Sequence, residues 1–254
     1  MLFTIHPEFL KKYERLLVAG DIHGDMKSFH KIFSIFHPEK DMLLFLGDYA
    51  DRGDSGVEII EALLESKRQG QKNIILLLGN HELYSDEGLP GFRPCDLMEE
   101  AAQKRGSWNN FFEETLKPFL NHLYHAAILP GQSLFVHAGI SPMLKSVSDL
   151  EKPHAELAKH LLWSDPTEEN TTFKANMIRG EGLLFGKELT QEVCNKLNIQ
   201  NIIRSHQPRL AQNHPYFMHD NKIITMHTTN SYNGRPHILE ISLKNPDNIE
   251  VHFL

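Results

Sequence analysis

The strongest constraint on the fold of this chain is a pattern of three short apolar segments, each ended by a glycine. These segments are residues 16–19, 42–46 and 74–78. Continuous apolar segments of this length are typical of strands buried on both faces of a sheet. Between them, residues 26–36 and 57–64 carry apolar side chains at helical spacing. The pattern therefore predicts a β-α-β-α-β unit with parallel strands and right-handed crossovers.

The rest of the chain completes an α+β protein whose first third has α/β character. Helical patterns cover most of residues 98–129 and residues 151–162 and 190–197. A strand is predicted over residues 133–136, and the last third of the chain is expected to form an antiparallel block of strands over residues 201–204, 216–219, 222–227, 237–243 and 249–253. Asp220 and Asn221 favour a hairpin turn, whereas residues 86–94 and 164–182 are expected to be irregular. We predict a single domain over residues 1–254, either a mixed sheet or a two-sheet sandwich with outer helices.

The composition excludes several classes of protein. Lys and Arg number 26 against 33 Asp and Glu, and this formal net charge of −7 argues against a protein that binds nucleic acid. The two cysteines, Cys95 and Cys194, lie far apart in the sequence, so neither a disulfide framework nor a thiolate zinc site is expected. Residues 1–15 lack the apolar core of a signal peptide, and no segment is long and apolar enough to span a membrane. A cytoplasmic location is the resulting expectation.

Side chains that bind divalent metals follow the apolar segments. In chain order they are Asp21, His23, Asp48, Asp51, Asn80, His81, Glu82, His137 and His206. Because the carboxyl ends of parallel strands meet at one edge of a sheet, we expect these side chains to lie close together. Carboxylate, imidazole and amide donors suit manganese, iron or zinc, and they are too numerous for one structural ion. Two ions that share a carboxylate would use them all, and such a pair activates water and clamps a phosphoryl group.

Simpler explanations exist for the same residues. Asp21 could cap the helix that follows it, and Asp48 and Asn80 could be ordinary turn residues. We favour the metal interpretation because His23 follows Asp21 by two residues and because a glycine precedes both Asp48 and Asn80. The chain has 16 histidines, and the twelve outside these segments are expected to be ordinary core or surface residues, with His227 as the exception to examine.

Seven ordered segments resemble the motifs of one enzyme family. They are residues 20–24 (GDIHG), 47–53 (GDYADRG), 79–82 (GNHE), 137–142 (HAGISP), 161–166 (LLWSDP), 179–186 (RGEGLLFG) and 204–206 (RSH). Together they resemble the phosphoprotein phosphatase (PPP) family, which lies within the calcineurin-like metallophosphoesterases, over about residues 16–235. One short motif could arise by chance, whereas seven in the family's order could not. The resemblance implies a calcineurin-like fold, which is a mixed two-sheet β-sandwich flanked by helices.

The resemblance also implies a dinuclear metal site. The ligands would be Asp21, His23, Asp48, Asn80, His137 and His206. Asp48 would be shared by two divalent ions, expected to be manganese with iron and zinc as alternatives. In the family, a hydroxide that bridges the two ions attacks phosphorus directly, so that no phosphoenzyme forms.

Further roles follow from the same resemblance. The substrate phosphate would be bound by Arg52, Arg179, Asn80 and Tyr232. His81, oriented by Asp51, would protonate the leaving oxygen. From the residues alone, Arg52 could equally be only a salt-bridge partner of Asp51, and Arg179 an ordinary surface charge. Glu82 is expected to support its loop rather than to bind metal.

Departures from the family pattern bear on the subfamily. Ala138 replaces the first of the two glycines that usually follow the ligand at His137. Residues 83–106 lack the tyrosine-glycine-phenylalanine stretch of the eukaryotic enzymes, and residues 229–233 match their closing SAPNY motif only in part. The chain resembles a compact prokaryotic-type serine/threonine phosphatase with no obvious extension for docking a regulatory subunit.

The leading functional interpretation is a phosphomonoesterase that acts on phosphoserine and phosphothreonine, with phosphotyrosine as a further substrate, in phosphoproteins or phosphopeptides. A second interpretation keeps the metals but makes the substrate a nucleotide, because symmetrical dinucleoside tetraphosphatases share the first three motifs. The LLWSDP and Arg179 segments favour the protein phosphatase, whereas the HAG sequence at residues 137–139 favours the nucleotide hydrolase. A catalytically silent metal-binding adaptor is disfavoured because the ligands, His81 and Arg52 are all present. Neither nucleic acid nor a membrane is an expected partner, and a metal-dependent nuclease is disfavoured by the net charge.

Overall fold

The computed structural model of the protein describes residues 1–254, in fourteen strands and nine α-helices. The strands are β1 (Leu2–Thr4), β2 (Arg15–Ala19), β3 (Asp41–Phe45), β4 (Ile74–Leu76), β5 (Ala126–Leu129), β6 (Ser133–Val136), β7 (Asp165–Pro166), β8 (Phe173–Ala175), β9 (Leu183–Phe185), β10 (Asn201–Arg204), β11 (Tyr216–Met218), β12 (Ile223–Thr225), β13 (His237–Ser242) and β14 (Ile249–Phe253). The helices are α1 (Pro7–Lys12), α2 (Met26–Ile35), α3 (Gly56–Arg68), α4 (Leu97–Arg105), α5 (Trp108–Phe111), α6 (Lys117–Leu120), α7 (Ser148–Glu151), α8 (Ala155–Trp163) and α9 (Lys187–Leu197). A π-helical segment, Phe112–Leu116, joins α5 to α6, and a 3₁₀ turn covers Asn80–Glu82.

The three glycine-ended segments form the parallel centre of a five-stranded sheet, as their pattern predicted. The strand order is β14-β13-β2-β3-β4, with β2, β3 and β4 parallel and β13 antiparallel to both of its neighbours. Val18 lies opposite Leu44, Leu44 lies opposite Ile75, and all three side chains are buried. Burial on both faces explains why these strands are apolar at successive positions.

A second sheet of six strands packs against the first. Its order is β1-β5-β6-β10-β12-β11, in which β6, β10 and β12 are parallel. Strand β5 is antiparallel to β6, and β11 is antiparallel to β12. One core cluster joins the two sheets and contains Leu44 and Ile75 from the first sheet with Phe135, Ile203 and Ile224 from the second. The sheets therefore form the two layers of a sandwich.

Helices cover the outer faces of both sheets. On the first sheet, Ile32 of α2 and Leu63 of α3 share a core cluster with Leu43 of β3. On the second sheet, Leu161 of α8 and Val193 of α9 lie in a cluster with residues of β5, β6, β10 and β12. This arrangement confirms the expected α+β fold, a mixed two-sheet sandwich flanked by helices.

Two helix predictions were wrong in part. The helical stretch predicted over residues 98–129 ends earlier, because its last four residues form β5. A run of four buried apolar residues fits a buried strand as well as a helix, so the pattern does not separate the two. The helix predicted over residues 151–162 is interrupted, since α7 ends at Glu151 and α8 begins at Ala155. Pro153 lies between them and cannot continue a helix.

Two strand predictions also differ from the structure. Residues 164–182, expected to be irregular, contain β7 and β8, which form a small three-stranded sheet with β9. The final third of the chain is not a separate antiparallel block, because β10 and β12 join the second sheet in parallel and β13 pairs with β2. The predicted hairpin is confirmed, since β11 and β12 pair across Asp220 and Asn221, whose φ angles are 56° and 63°.

Two expectations about covalent structure and membranes can be compared with the fold. Cys95 and Cys194 are both free, which confirms that no disulfide framework is present. Cys194 is buried in α9, where it serves as a small apolar side chain. None of the helices combines the length and the apolar character that crossing a membrane requires.

Candidate metal centre

Six candidate metal ligands lie beyond the carboxyl ends of five strands. Asp21 and His23 follow β2, Asp48 follows β3, Asn80 follows β4, His137 follows β6 and His206 follows β10. Their exposed fractions all lie between 0% and 7%. Both sheets contribute ligands, so the site occupies the edge of the sandwich at which open α/β sheets bind ligands. The structure thus brings together all six residues that the motifs pointed to.

The backbone around the site is strained. Nine non-glycine residues of the chain have a positive φ, and five of them belong to this site. These five are His23, Asp48, Asp51, Arg52 and His206, with φ between 47° and 69°. The left-handed region is unfavourable for residues with a β-carbon, and such strain concentrates at functional sites, where it aims side chains that a relaxed strand end would not.

The loops after β3 and β4 are in direct contact. A β-carbon on Gly47, whose φ is 108°, would lie 2.5 Å from the backbone nitrogen of Gly79, so only glycine fits there. The buried carboxylate of Glu82 accepts hydrogen bonds from the backbone N–H groups of Asp48 (2.8 Å), Tyr49 (3.0 Å) and Gly79 (2.9 Å). Glu82 therefore ties the two loops together, as expected for a supporting residue.

The first group of ligand atoms surrounds Asp48 Oδ2. His23 Nε2 lies 3.6 Å from this oxygen and 3.9 Å from Asp21 Oδ2. Ser205 Oγ donates to the other oxygen of Asp21 at 2.5 Å, and the backbone N–H of His206 donates to it at 3.2 Å, which leaves Oδ2 facing the site. Two atoms that each bind one ion at about 2.1 Å lie roughly 3 to 3.5 Å apart, so these spacings fit a shared ion with little adjustment.

The second group of ligand atoms surrounds His137 Nε2. This nitrogen lies 2.9 Å from Asn80 Oδ1 and 3.0 Å from His206 Nδ1. It also lies 3.5 Å from Asp48 Oδ1, so the two oxygens of Asp48 face the two groups. The ring of His137 is fixed from behind, because its Nδ1–H donates to the carbonyl oxygen of Leu46 at 2.9 Å. This position of Asp48 between the two groups is compatible with a bridging ligand.

The electrostatics of the cluster fit divalent metals. Burial, together with the neighbouring carboxylates of Asp21 and Glu82, raises the pKa of Asp48 well above its usual range. Burial also lowers the pKa of His23 and of His137 to about 4, so both imidazoles are neutral, as metal ligation requires. A shared cation would relieve the repulsion between the carboxylates. The donor atoms are nitrogen and oxygen only, with no cysteine sulfur among them, and such a ligand set suits manganese, iron or zinc.

His81 lies beside the ligands but is held by another partner. Its Nδ1–H donates to Asp51 Oδ2 at 2.6 Å, and its backbone N–H donates to Asp48 Oδ1 at 3.0 Å. Burial would lower the pKa of His81, but the carboxylates of Asp48 and Asp51 outweigh burial and raise it to about 9. Spacing alone would group His81 with His23 and Asp48 as ligands. The hydrogen bond of Nδ1 to Asp51 and the raised pKa instead favour a protonated ring over a metal ligand.

The other oxygen of Asp51 accepts hydrogen bonds from the backbone N–H groups of Asp96 (2.6 Å) and Leu97 (2.9 Å), at the start of α4. Asp51 is fully buried and forms no ion pair with Arg52. The alternative in which Arg52 serves only as the salt-bridge partner of Asp51 is therefore wrong. Arg52 is exposed, and its side chain points to a cavity above the ligands.

This cavity has a volume of about 500 Å³ and opens directly over His206. Arg52, Arg179, Arg209 and Tyr232 are among the residues that line it. The ring of Tyr232 also lies 5.9 Å from that of His23, centre to centre, so it stands between the cavity and the first group of ligands. The structure thus places three of the four predicted phosphate-binding side chains, Arg52, Arg179 and Tyr232, in one cavity together with the candidate ligand His206, whereas Asn80 does not line it.

A buried carboxylate positions Arg179. Asp165 accepts a hydrogen bond from Nε of Arg179 and another, at 3.0 Å, from Arg204. Arg204 is completely buried, and burial lowers its pKa to about 10. Asn176 donates to the same carboxylate at 3.0 Å. The interpretation of Arg179 as an ordinary surface charge is wrong, because this network fixes its guanidinium at the rim of the ligand cluster.

Three residues that shape the site, Asp165, Arg204 and Ser205, were not among the functional residues predicted from the sequence. Asp165 and Arg204 lie inside recognised motifs, and a charged residue within a motif next to a buried strand could have drawn attention to them. Ser205, which orients Asp21, gives no such signal. His227 is 1% exposed, and neither of its ring nitrogens has a hydrogen-bond partner. It lies outside both groups of ligand atoms.

Comparison with known proteins agrees with this geometry. The model of the calcineurin-like phosphoesterase family matches residues 14–210, which is most of the chain. The protein therefore belongs to the calcineurin-like phosphoesterase family.

Within that family, the chain is similar to serine/threonine phosphatases. It is 29% identical over 240 residues to serine/threonine-protein phosphatase C23G10.1 of Caenorhabditis elegans, which covers 91% of this chain and 51% of that protein. It is 28% identical over 263 residues to serine/threonine-protein phosphatase PP1-delta of the same organism, which covers 100% of this chain and 82% of that protein. The chain thus spans about half the length of the first relative. The resemblance to protein serine/threonine phosphatases is confirmed.

The fold is also that of a solved phosphatase. The structure of a protein serine/threonine phosphatase from Saccharomyces cerevisiae with similarity to human phosphatase PP5 aligns with a TM-score of 0.78. The alignment covers 100% of this chain and 82% of that chain at 21% identity. Likeness at this level of identity shows a common fold.

Proposed function

We propose that this protein is a metal-dependent phosphatase that removes phosphate from phosphoserine and phosphothreonine side chains of proteins. The observation that carries the proposal is the hydrogen-bonded His81–Asp51 pair beside the candidate ligand Asp48, close to a cavity lined by Arg52 and Arg179. An acid, a metal-ligand cluster and anion-binding side chains in one place are the parts that hydrolysis of a phosphate ester requires.

Six residues would hold two divalent ions. We assign Asp21 and His23 to one ion, Asn80, His137 and His206 to the other, and Asp48 to both. Two such ions, when bound, lower the pKa of water and neutralise charge on the phosphoryl group. We propose manganese, with iron and zinc as alternatives, because the donors are oxygen and imidazole nitrogen.

Arg52 and Arg179 would bind the phosphate oxygens. A guanidinium offers a planar fork of N–H donors that matches two oxygens of one phosphate. The two arginines approach the cavity from different loops, one after β3 and the other after β8. The amide of Asn80 and the hydroxyl of Tyr232 would add contacts, and Asp165 would keep Arg179 in place before the substrate arrives.

His81 would protonate the leaving oxygen of the substrate. An alkoxide from serine or threonine is a poor leaving group, so proton donation lowers the barrier to its departure. Asp51 holds Nδ1, which leaves Nε2 free to face the substrate, and the surrounding carboxylates keep a proton on the ring at neutral pH. The roles of His81 and Asp51 are therefore those of a general acid and its positioning residue.

Protein substrates are supported by the relatives, which are named serine/threonine-protein phosphatases. The cavity is also open to solvent at its arginine-lined rim, where a phosphorylated segment of a protein could enter. We include phosphotyrosine as a further substrate, because the open rim leaves room for an aromatic ester. The dinucleotide hydrolase and the silent adaptor have no comparable support.

A direct comparison of substrates tests the proposal. Manganese-reconstituted protein is assayed on a phosphoserine peptide, a phosphothreonine peptide, a phosphotyrosine peptide and diadenosine tetraphosphate under one set of conditions. The expected result is a higher kcat/KM on the phosphoserine and phosphothreonine peptides than on the dinucleotide. A clear preference for the dinucleotide would contradict the proposal, and a complete lack of turnover with both metals bound would favour the adaptor.

A further inference from the structure

The arginine-lined cavity contains a third cation that the proposed phosphate site does not use. Arg209 lines the cavity together with Arg52 and Arg179. Arg179 is held by the carboxylate of Asp165, whereas Arg209 forms no ion pair with any carboxylate of the protein. No Asp or Glu side chain lines the cavity. The charge of Arg179 is therefore partly neutralised, whereas that of Arg209 has no carboxylate partner.

This concentration of positive charge is not explained by the composition of the chain. The protein carries a formal net charge of −7, so three arginines around one cavity are a local feature. One phosphate group is matched by the two forks of Arg52 and Arg179 and by bound metals. A third guanidinium at the same cavity adds repulsion between like charges unless a second anion joins the first.

The loop that carries Arg209 is fixed before any ligand binds. Its neighbours Pro208 and Ala211 are both buried. The side-chain oxygen of Gln207 accepts a hydrogen bond from the buried Arg204 at 2.7 Å, and the backbone N–H of Leu210 donates to the carbonyl of Gln207 at 3.0 Å. A guanidinium on a preorganised turn loses little freedom when it binds an anion.

We propose that Arg209 forms a second anion subsite, which recognises an additional negative group close to the phosphorylated residue of the substrate. This inference rests on the proposed function and adds a substrate preference to it. The additional group is either the carboxylate of a neighbouring Asp or Glu or a second phosphate, since both present oxygen pairs to an arginine fork. Because Arg209 is exposed at the rim, the contact acts on binding of the ground state and changes KM more than kcat.

Three phosphoserine peptides of otherwise identical sequence test the subsite. The first peptide has glutamine at the positions that flank phosphoserine, and the second has glutamate at these positions. The third keeps the phosphoserine and has, at one flanking position, a non-hydrolysable phosphonate analogue of phosphoserine. The wild-type protein should have a KM about fivefold lower for at least one of the two anionic peptides than for the glutamine peptide. In Arg209→Gln, the KM for the glutamine peptide divided by the KM for that anionic peptide should fall to about one.

Arg68→Gln is the matched control, because Arg68 is an exposed arginine at the end of α3, outside the cavity, and its loss changes the net charge equally. This variant should keep the wild-type KM ratio. Arg209→Lys keeps the charge without the fork and should give an intermediate ratio, so the test remains decisive if Arg209→Gln does not fold. A lower KM for the glutamate peptide identifies a carboxylate, and one for the phosphonate peptide alone identifies a second phosphate.

Two results would overturn the subsite while leaving the phosphatase function intact. The first is an equal KM of the wild-type protein for all three peptides. The second is a preference for anionic peptides that survives unchanged in Arg209→Gln. Failure to hydrolyse any of the peptides would instead contradict the proposed function, and the subsite with it.

Discussion

Asp48 is the residue at which the two groups of candidate ligands meet. One of its oxygens lies 3.6 Å from His23 Nε2 and the other lies 3.5 Å from His137 Nε2. Replacement of Asp48 by asparagine removes the charge that both ions would share but preserves the size of the side chain. We expect Asp48→Asn to lower phosphatase activity at least about a hundredfold and to weaken both metal sites. Activity assays and calorimetric titration with manganese measure these two effects.

The matched control for that experiment is Asp54→Asn, because Asp54 lies in the same loop region but is exposed and outside both groups of ligand atoms. This variant should bind manganese as the wild type does. Undiminished turnover in Asp48→Asn, or a loss of only one of the two ions, would show that Asp48 does not bridge.

His81 provides a second test at the same scale. His81→Asn removes the proton donor but keeps a polar side chain beside Asp51. We expect turnover of phosphoserine peptides to fall about 10²- to 10⁴-fold, whereas p-nitrophenyl phosphate, whose leaving group needs little protonation, should be affected far less. The control is His122→Asn, an exposed histidine far from the cavity. Equal losses on both substrates would argue against a general acid and favour a purely structural role.

Sequence motifs predicted which side chains lie together in the site, but they did not predict the neighbouring residues that position those side chains. Asp21, Asp48 and Asn80 could be placed because each follows a buried strand and a glycine. The partner of Arg179 could not be predicted, because Asp165, Arg179 and Arg204 belong to three segments that come together only in the folded protein. Interactions between residues distant in sequence have no local signature.

Among the elements, β13 and the loop before it carry a buried histidine that links stability to pH. His237 is 0% exposed, and burial lowers its pKa to about 4. Its Nδ1–H donates to the carbonyl of Arg235 at 3.1 Å, while Nε2 accepts from the backbone N–H of His227 at 3.4 Å, so the folded protein holds the neutral ring. In the unfolded chain the imidazole of His237 takes up a proton near the usual histidine pKa of about 6.5, whereas in the folded chain it remains neutral at that pH.

The sign of this linkage is a loss of stability with falling pH. Between about pH 6.5 and pH 4 the unfolded state binds more protons, so the free energy of unfolding decreases, by up to about 3 kcal/mol for this one group. We expect His237→Gln to have a shallower dependence of stability on pH in that range. Urea denaturation of metal-free protein at pH 7, 5.5 and 4.5 measures the slope, with His30→Asn, a replacement of an exposed histidine on α2, as the control. An unchanged slope in His237→Gln would contradict the assignment.

Elements with strict apolar periodicity could be predicted from the sequence, and those defined by tertiary pairing could not. Strands β2, β3 and β4 and helices α2 and α3 follow the pattern closely, because burial on one or both faces dictates it. Strand β5 was mistaken for helix because four successive apolar residues satisfy both periodicities. The small sheet of β7, β8 and β9 was missed because β8 is exposed and carries no apolar alternation.

For the whole molecule, the sandwich explains why ligands from distant parts of the chain converge. The first sheet brings Asp21, Asp48 and Asn80 to one edge, and the second sheet brings His137 and His206 to the same edge. The sequence pattern predicted the parallel first sheet but left a mixed sheet and a two-sheet sandwich as alternatives, and the two-sheet arrangement followed from the family resemblance. The pattern could not predict that β10 and β12 are parallel neighbours within the second sheet, because strand pairing depends on tertiary context that a local pattern does not show.

We propose that the protein needs two divalent ions, held by residues of both sheets, to hydrolyse phosphoserine in proteins. The most direct test is turnover of a phosphoserine peptide by metal-free protein as manganese is added. We expect no measurable turnover without metal and a rise in turnover to a maximum at two equivalents of manganese per chain. Full activity in protein shown by elemental analysis to contain no metal, or a maximum at one equivalent, would contradict it.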